Sequence, residues 1–316
     1  MMPHYTCPWM LSILLAIRNS RGYASQCLRT LAQTCELLGL RPSMLEYVLV
    51  DDASDPEQDI PGLLGEFRNR VLSRVQIVRF KTPQHYTHAV AYGLAATSGE
   101  AVLFISHDMV IPPSCISMLL RVAQGDPSIG IVRASSKHMD GTPQHVIAPP
   151  LPVRSFESVQ AFSQYVATTC GTEYVEDHLL IGDAFLVKRE VLNRIGVFDT
   201  RFRGFLGDMD FGLRAQRAGF KIGTAVGAWL HHEGSGFCKE AVHLGKATMA
   251  DLQAKHDAEV QAAFEQFRAK WDPQTLGRKY LGLDSLELAR LREIEAPESL
   301  LYCAPPSLHD EFVELL

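Results

Sequence analysis

Long hydrophobic runs are missing from this sequence. The longest apolar run near its start, Met10 to Ile17, is too short to cross a bilayer, and no Lys or Arg precedes it. The sequence therefore predicts neither a transmembrane segment nor a signal peptide. We expect a cytoplasmic protein, with peripheral contact at the inner face of the membrane as an alternative.

Cysteine and positive charge are also scarce. The seven cysteines are an odd number and contain no Cys-x-x-Cys pair, so the sequence predicts reduced thiols rather than a disulfide framework. Lys and Arg number 30 against 36 Asp and Glu, which gives a net charge of −6. This balance argues against nucleic acid as a partner. The 316 residues are 47% hydrophobic and 21% charged, as in an ordinary globular protein.

Two common phosphate-binding loops are absent. No Gly-x-Gly-x-x-Gly follows the first apolar run, where the sequence reads Ala16-Ile17-Arg18-Asn19-Ser20, and no Gly-x-x-x-x-Gly-Lys-Ser/Thr occurs. A phosphorylated ligand would therefore need another counter-charge. Mg²⁺ or Mn²⁺ fits, because such cations take oxygen ligands and share them with their substrates. Asp108, which follows a later apolar run, is the natural protein ligand.

Short apolar runs alternate with helical patterns through the first half of the chain. This rhythm predicts an α/β fold with a mostly parallel sheet flanked by helices. The predicted strands are Met10–Ile17, Leu45–Val50, Val75–Phe80, Ala101–Ile105, Ile129–Arg133, Ile181–Val187 and Ala228–His231. The predicted helices are Tyr23–Leu38, Pro61–Leu72, Thr87–Thr97, Pro113–Val122, Arg189–Ile195 and Asp208–Ala218, then one or two within Glu240–Trp271 and one at Leu283–Ile294. Regular patterns are lost between Arg133 and Ile181, and the tail is poorly specified.

Acidic residues follow two of these strands. Asp51 and Asp52 come directly after the second strand, and Ser106-His107-Asp108 follows the fourth. Ligands of open α/β sheets bind beyond the carboxyl ends of the strands, so these residues are candidates for a binding site. The alternative for each run alone is a turn that caps the next helix. Their occurrence together favours a site.

A third acidic pair, Asp208 and Asp210, lies at the start of a predicted helix. Capping and the helix dipole would explain one carboxylate. The functional hypothesis is that one Asp faces the cleft and acts as general base for a hydroxyl nucleophile. Further along, only one of the adjacent His231 and His232 can face a site, because successive strand residues alternate between faces. We predict that His231 faces the site. The spacing of the histidines in this part of the sequence disfavours a zinc site.

In their order, these motifs resemble a family-2 glycosyltransferase with the GT-A fold, similar to bacterial rhamnosyl- and galactosyltransferases of polysaccharide synthesis. The resemblance spans about Leu11 to Ser235. Its motifs are Ser12 to Asn19, Val50-Asp51-Asp52-Ala53-Ser54, His88 to Glu100, Asp108, Gly182 to Glu190, Ile195 to Asp199, Asp208-Met209-Asp210 and His231 to Ser235.

The resemblance implies a role for each matched residue. Asp208 would be the catalytic base, and Asp108 with His231 would bind Mn²⁺ or Mg²⁺. Gly182, Asp183 and Asp210 would lie on the acceptor side. The implied donor-binding residues are Ile17, Arg18, Asn19, Asp51, Asp52, Ser54, His88, Ser106 and His107.

Three residues depart from the family pattern. Ser106 replaces the first Asp of the Asp-x-Asp motif, Gly207 stands where Glu normally precedes the base, and Ala91 replaces a frequent Asn. These departures leave a non-catalytic GT-A module for binding or assembly as one alternative. A nucleotidyltransferase is the other, although the glycine-rich basic loop expected after its first strand is missing.

The resemblance implies a metal-dependent inverting enzyme. It would move a sugar from a nucleotide-diphosphate donor, with UDP or dTDP favoured, to a hydroxyl of a glycan or lipid-linked acceptor, and a homodimer is one expected assembly. The implied domains are a GT-A domain over 1–238 and a C-terminal helical extension over 239–316. The GT-A domain divides into a nucleotide-sugar half over 10–110 and an acceptor half over 111–238.

Overall fold

The computed structural model describes residues 9–138, 146–153, 155–234, 236–243, 245–280, 282–283, 285–294, 297–310 and 312–316. Ser235 of the histidine motif and Asp284 of the last predicted helix lie outside these ranges. Within them, every helix is too short or too polar to span a bilayer.

A nine-stranded sheet forms the centre of the protein, and the described strands confirm the predicted α/β fold. Along the chain they are β1 (Leu11–Ile17), β2 (Leu45–Asp51), β3 (Arg74–Phe80), β4 (Ala101–Ser106), β5 (Met109–Val110), β6 (Ile129–Ser135), β7 (Tyr174–Glu176), β8 (Ala184–Lys188), β9 (Lys221–Trp229), β10 (His231–His232) and β11 (Val313–Leu315). The sheet order is β11-β3-β2-β1-β4-β8-β6-β9-β7, and β5 pairs separately with β10.

Helices cover both faces of the sheet. They are α1 (Arg21–Leu37), α2 (Ile60–Arg70), α3 (His85–Ala96), α4 (Pro113–Gly125), α5 (Phe156–Cys170), α6 (Arg189–Ile195), α7 (Gly207–Arg217), α8 (Gly236–His243), α9 (Met249–Trp271), α10 (Ser285–Glu293) and α11 (Glu298–Leu301). Alternate residues of β1 show why two layers form. Ile13 and Leu15 pack with α1, α2 and α4, whereas Leu14 packs with α3, α6 and α7, and all three side chains are fully buried.

Strand directions decide where the functional residues meet. β1 is parallel to β2 and β4, and β2 is parallel to β3, so their carboxyl ends lie at one edge. β8 runs antiparallel to β4, so the amino end of β8 lies at that same edge. The Ser106 N–H donates to the Asp183 carbonyl at 3.1 Å and joins the two strand ends.

Residues on both sides of position 238 share one apolar cluster. Phe202 and Leu206, which precede α7, pack with Phe264, Phe267 and Trp271 of α9. At one edge of the sheet, β11 pairs antiparallel with β3. The C-terminal region is therefore partly helical, as predicted, and it also supplies an edge strand.

Some elements differ from the sequence prediction. The sequence predicts no helix where α5 lies, because Ser163 interrupts its buried face of Val159, Val166 and Ala167. The strand predicted at Ala228–His231 is the end of β9 followed by the separate β10. The strand predicted from Ile181 begins at Ala184, so Gly182 and Asp183 precede it.

Candidate active site

One cavity of about 780 Å³ opens where these strands end, and we call it the strand-end cavity. Asp52, Asp108 and Asp208 all line it, although they come from three distant parts of the sequence. Further predicted site residues in its wall are Ile17, Arg18, Ser106, His107, Gly182 and Asp183. The structure thus brings together residues that follow β1, β2 and β4, precede β8 and begin α7.

Asp52 is the acidic residue after β2 that reaches the cavity. Its carboxylate accepts the backbone N–H groups of Gln84 and His85, at 2.6 and 3.0 Å, at the start of α3. The Arg18 guanidinium lies 3.6 Å away. Burial raises the pKa of Asp52, although these N–H donors and Arg18 oppose the shift. Asp52 therefore orders the start of α3 as well as facing the cavity.

Asp51, Asn19 and Ser54 stabilise the surrounding loops and do not line the strand-end cavity. Asp51 accepts the Ser54 N–H at 2.9 Å and lies 3.3 Å from the Arg79 guanidinium. The Ser54 hydroxyl accepts the Asn19 N–H at 2.8 Å. These contacts hold together the segments that follow β1 and β2. Of the predicted donor-binding residues in these segments, Ile17, Arg18 and Asp52 line the cavity.

The Ser106-His107-Asp108 segment forms the central wall. The Ser106 hydroxyl lies 3.2 Å from the Asp183 carbonyl, to which it donates. His107 Nε2 has no hydrogen-bond partner among the described residues, and burial lowers the pKa of His107. Asp108 accepts the Gly236 N–H at 3.0 Å. The start of α8 is thereby held against the strand end.

The histidine that lines the cavity is His232, whereas the sequence analysis predicted His231. Antiparallel pairing of β10 with β5 sets His232 opposite Met109 and His231 opposite Val110. His232 Nε2 lies 3.4 Å from Asp108, while His231 Nε2 lies 3.5 Å from Glu233. The two side chains do alternate, but the pairing with β5 selects which one faces inward.

Asp108 and His232 stabilise each other's charged forms. Burial opposes the charged imidazole, yet the hydrogen bond and charge of Asp108 raise the pKa of His232 to about 9. Burial likewise opposes the ionised carboxyl, but His232 holds the pKa of Asp108 well below its usual range. His232 Nδ1 lies 2.9 Å from the His138 carbonyl, which directs Nε2 toward Asp108.

Asp208 lines the same cavity from the start of α7. Its carboxylate accepts the N–H groups of Gly182 at 2.7 Å and Met209 at 2.9 Å. Burial raises the pKa of Asp208, and these hydrogen bonds offset only part of that shift. A carboxylate that is oriented in this way and is more basic than usual is suited to accept a proton.

Gly182 is required by a close approach. A Cβ atom there would lie 2.2 Å from the Tyr86 hydroxyl and 3.1 Å from Asp208 Cβ. The Tyr86 hydroxyl donates to the Gly182 carbonyl at 2.5 Å. The neighbouring Asp183 lies 3.2 Å from the Arg133 guanidinium, which fixes its carboxylate. Two of the three predicted acceptor-side residues, Gly182 and Asp183, therefore lie in the cavity wall beside Asp208.

Asp210 does not line the cavity, in contrast to its predicted acceptor-side position. It is fully buried on the other face of α7, 2.7 Å from Arg214 and 2.6 Å from Lys270. The Trp271 indole donates to it at 2.9 Å. Two residues along a helix point in different directions, so only Asp208 of this pair reaches the cavity.

Two other predicted features lie beside the cavity rather than in it. His88 does not line it, because His85, Tyr86 and Ala89 provide the α3 face. Gly207 packs against Thr87, whose side-chain atoms would lie 2.5 Å from a Cβ. A larger residue at position 207 would collide with α3, which gives a physical reason for the departure from Glu.

Sequence reasoning missed several lining residues. His85 adopts a left-handed backbone with φ 68°, which is uncommon for a residue other than glycine. His256, Glu259 and Tyr280 line the cavity from the C-terminal region. Their local sequence is that of an ordinary polar helix and loop, so the only signal is their position in the folded chain.

The family model described as "Glycosyl transferase family 2" matches residues 12–196. This chain belongs to that family. A Myxococcus xanthus protein named O-antigen biosynthesis protein RfbC is 29% identical over 166 residues, which are 51% of this chain and 13% of that protein. The chain thus spans about an eighth of this relative.

Solved structures agree on the GT-A fold. The mannosyltransferase PcManGT from Pyrobaculum calidifontis, in complex with GDP-Man and Mn²⁺, matches with a TM-score of 0.52 and 17% identity, over 72% of this chain and 57% of that chain. A TarS fragment from S. aureus in complex with UDP matches with a TM-score of 0.50 and 16% identity, over 82% and 72%. The family match identifies this chain as a glycosyltransferase and argues against the nucleotidyltransferase alternative.

Proposed function

We propose that this chain is a metal-dependent inverting glycosyltransferase that uses a nucleotide-diphosphate sugar. One observation carries the proposal: Asp52, Asp108 and Asp208, to which the family resemblance gives the roles of nucleotide contact, metal ligand and catalytic base, line a single cavity. Its volume of about 780 Å³ falls within the range of small-molecule sites.

The donor would lie along the ends of β1, β2 and β4. Arg18 and Asp52 offer a cation and an oxygen acceptor for the nucleoside part, and His107 and Asp108 line the same cavity. The GDP-Man and UDP complexes of the two structural neighbours support a nucleotide-linked donor. We favour UDP or dTDP on the resemblance of the motifs.

Asp108 and His232 fit a divalent cation. They offer a carboxylate oxygen and, once the cation displaces the Nε2 proton of His232, an imidazole nitrogen on the same wall. The Nδ1 N–H would keep its hydrogen bond to the His138 carbonyl. When bound, Mn²⁺ or Mg²⁺ would counter the charge of the donor diphosphate. The Mn²⁺ in the mannosyltransferase complex supports this assignment.

Asp208 would act on the acceptor. Its carboxylate takes the proton of the acceptor hydroxyl as that oxygen bonds to the anomeric carbon and the bond from this carbon to the diphosphate oxygen breaks. Attack from the side opposite the leaving group inverts the anomeric configuration. Gly182 and Met209 hold the carboxylate in place throughout. Positioned base catalysis contributes typically ~10²–10⁴-fold in rate.

The biological product would be a glycan. The O-antigen name of the Myxococcus relative supports a role in polysaccharide biosynthesis, with a glycan or lipid-linked glycan as acceptor. A cytoplasmic site of action, at or near the membrane's inner face, and assembly as a homodimer stay predictions. Fractionation of cells and light scattering of the purified chain would test them.

Donor binding gives the direct test. Thermal unfolding would be followed with UDP-, GDP- and dTDP-sugars with and without Mn²⁺, because a ligand that binds the native state raises its stability by mass action. We expect one nucleotide class to stabilise the protein in an Mn²⁺-dependent manner and to be turned over. Asp108→Ala should lose both effects.

Asp126→Asn is the matched control, because Asp126 is a half-exposed residue at the opposite edge of the sheet, paired with Lys221. It should keep both effects. Well-folded protein that turns over no donor would favour the non-catalytic module. Full Mn²⁺-dependent turnover in Asp108→Ala would reject Asp108 as the metal ligand.

A further inference from the structure

The strand-end cavity has a second wall that lies outside the family match. The match ends at residue 196, whereas His256, Glu259 and Val260 of α9 line the cavity, together with Tyr280 and Leu283 of the following segment. The proposed mechanism assigns no role to these residues. They face the cavity on the side where Asp208 begins α7.

Part of this wall is apolar and aromatic. Phe205, Met209 and Val260 line it, and the Phe205 and His256 rings meet edge to face with centroids 4.8 Å apart. The Tyr280 ring packs on Phe264 at 5.1 Å. Flat apolar surfaces of this kind suit the C–H face of a sugar ring.

Two polar groups stand at the edge of that surface. The Glu259 carboxylate lies 3.9 Å from the Lys255 ammonium, which is beyond hydrogen-bond distance, so its oxygens can accept from a ligand. Tyr280 is held by its backbone, whose N–H donates to the Gln261 side chain at 2.9 Å. Burial and the charge of Asp208 raise the pKa of Tyr280, so its phenol lies within electrostatic reach of the proposed base.

The charges of this wall limit the ligand. Glu259, Asp183 and Asp208 all line this part of the cavity. Asp183 is paired with Arg133, but the carboxyl oxygens of Glu259 and Asp208 are hydrogen-bond acceptors that suit neutral hydroxyls better than a phosphate or an acidic sugar. The wall therefore favours an uncharged ligand.

We infer that His256, Glu259 and Tyr280 form the acceptor subsite and bind an uncharged sugar ring of a glycan, with one hydroxyl directed to Asp208. The inference rests on the proposed function. Asp52 and Asp108 occupy the donor wall, so the acceptor must approach Asp208 from the remaining side. The C-terminal residues form that side.

Acceptor kinetics would test the subsite. Transfer from the donor found in the thermal panel would be measured onto p-nitrophenyl glycosides of neutral hexoses and 6-deoxyhexoses. Glu259→Gln and Tyr280→Phe should each raise the acceptor KM about three- to tenfold, as expected for loss of one hydrogen bond. The donor KM and the Mn²⁺-dependent stabilisation by nucleotide should stay unchanged.

Two control variants make the same side-chain changes at residues that do not line the cavity. Glu190→Gln changes an exposed residue of α6, and Tyr165→Phe changes an exposed tyrosine of α5. Both should leave the acceptor KM unchanged. A rise in donor KM in Glu259→Gln or Tyr280→Phe would overturn the inference, because the wall would then bind the donor.

The remaining outcomes also separate the two proposals. Intact donor binding with transfer to none of the neutral glycosides would overturn a neutral sugar acceptor while leaving the proposed function in place. Absence of nucleotide binding in the wild type would reject the proposed function, and the subsite with it.

Discussion

Asp208 combines two properties that a base catalyst needs. Its carboxylate is oriented by two N–H donors, and burial raises its pKa. Asp208→Asn keeps the shape and can accept one of the two hydrogen bonds through its single side-chain oxygen, but it cannot take a proton. We expect kcat to fall by roughly 10²–10⁴-fold while nucleotide affinity is unchanged. Steady-state kinetics and calorimetric titration with the nucleotide would measure both, and an unchanged kcat would reject the assignment.

The raised pKa of Asp208 also predicts a pH dependence. The base must be ionised, so kcat should rise with pH through a value above the ordinary carboxyl range, and Asp208→Asn should lack that step. The free energy of unfolding changes with pH in the opposite direction to kcat. A carboxyl pKa that is raised in the folded state favours the protonated folded protein, and this stabilisation is lost as the pH rises through the folded pKa. The stability of Asp208→Asn relative to wild type should therefore rise from acid to neutral pH, because only the wild type ionises at this position.

The two adjacent histidines offer an internal control. His232 lines the cavity beside Asp108, whereas His231 contacts Glu233. His232→Ala should weaken Mn²⁺ affinity by at least ~10-fold, judged against the effects of removing groups around metal sites. His231→Ala should change it little. Mn²⁺ titrations of activity would compare them, and equal losses in both variants would contradict the assignment of His232.

At the scale of single residues, sequence reasoning reached the acidic groups but not the direction of every side chain. Asp52, Asp108 and Asp208 could be predicted because each follows a strand or begins a helix at the edge where ligands bind. The choice between His231 and His232 depends on the pairing of β10 with β5, which are 120 residues apart in the chain. Alternation predicts that two neighbouring side chains of a strand face opposite sides. It does not predict which of them faces the cavity, because that depends on the register of the strand pairing.

Among the elements, α9 is the one that completes the cavity, and a buried charge holds it there. Lys270 lies 2.8 Å from Asp199 and 2.6 Å from Asp210, and all three side chains are at most 5% exposed. The ammonium supplies a cation to this carboxylate cluster, to which Arg214 also contributes. The end of α9 is thereby fixed to α7, the helix that carries Asp208.

Lys270→Met should therefore be strongly destabilising. Removing the ammonium leaves buried carboxylates short of a partner, a change that costs about 3–5 kcal/mol where a pair is broken. Urea unfolding would give the free energy. Lys221→Met removes a surface Lys–Asp pair whose side chains are 45% and 40% exposed, and it should cost less than about 1 kcal/mol. Similar losses for both would contradict the argument.

The elements also show which patterns are readable. The first four strands and three helices were predicted within a few residues, because each combines a continuous apolar face with a clear end. α5 escaped prediction because its buried face includes Ser163, whose hydroxyl donates to the Trp229 carbonyl at 2.7 Å. Such a polar residue is satisfied only by a partner from a distant strand, which no local pattern reveals.

Over the whole molecule, the chain returns to the sheet at its last residues. β11 pairs antiparallel with β3, more than 200 positions earlier, and Tyr92 of α3 hydrogen-bonds Asp310. Three residues with a Glu in the middle carry almost no strand signal, so this closure could not be predicted from the sequence. Pairing covers the edge of β3, which would otherwise be open to intermolecular association.

Phe312 directly precedes β11 and packs on the face of the sheet that α3 covers, where it stabilises the pairing of β11 with β3. Its ring lies 6.0 Å from that of Phe80 and 5.7 Å from that of Tyr92, whereas the strand-end cavity has no Phe312 in its wall. We expect Phe312→Ala to lower the free energy of unfolding by about 2–3 kcal/mol, because a packed aromatic ring is lost from a half-buried position. The donor KM of the folded fraction should not change.

Leu315→Ala is the comparison for Phe312→Ala, because Leu315 belongs to β11, which directly follows Phe312, but is 46% exposed. Truncating it should cost under about 1 kcal/mol. Urea unfolding with parallel donor kinetics would measure both variants. Because β3 also pairs with β2, whose end carries Asp52, a change of donor KM in Phe312→Ala would mean that the edge strand and the donor wall are coupled through the sheet. Unchanged donor kinetics with lowered stability would mean that the closure acts on the fold alone.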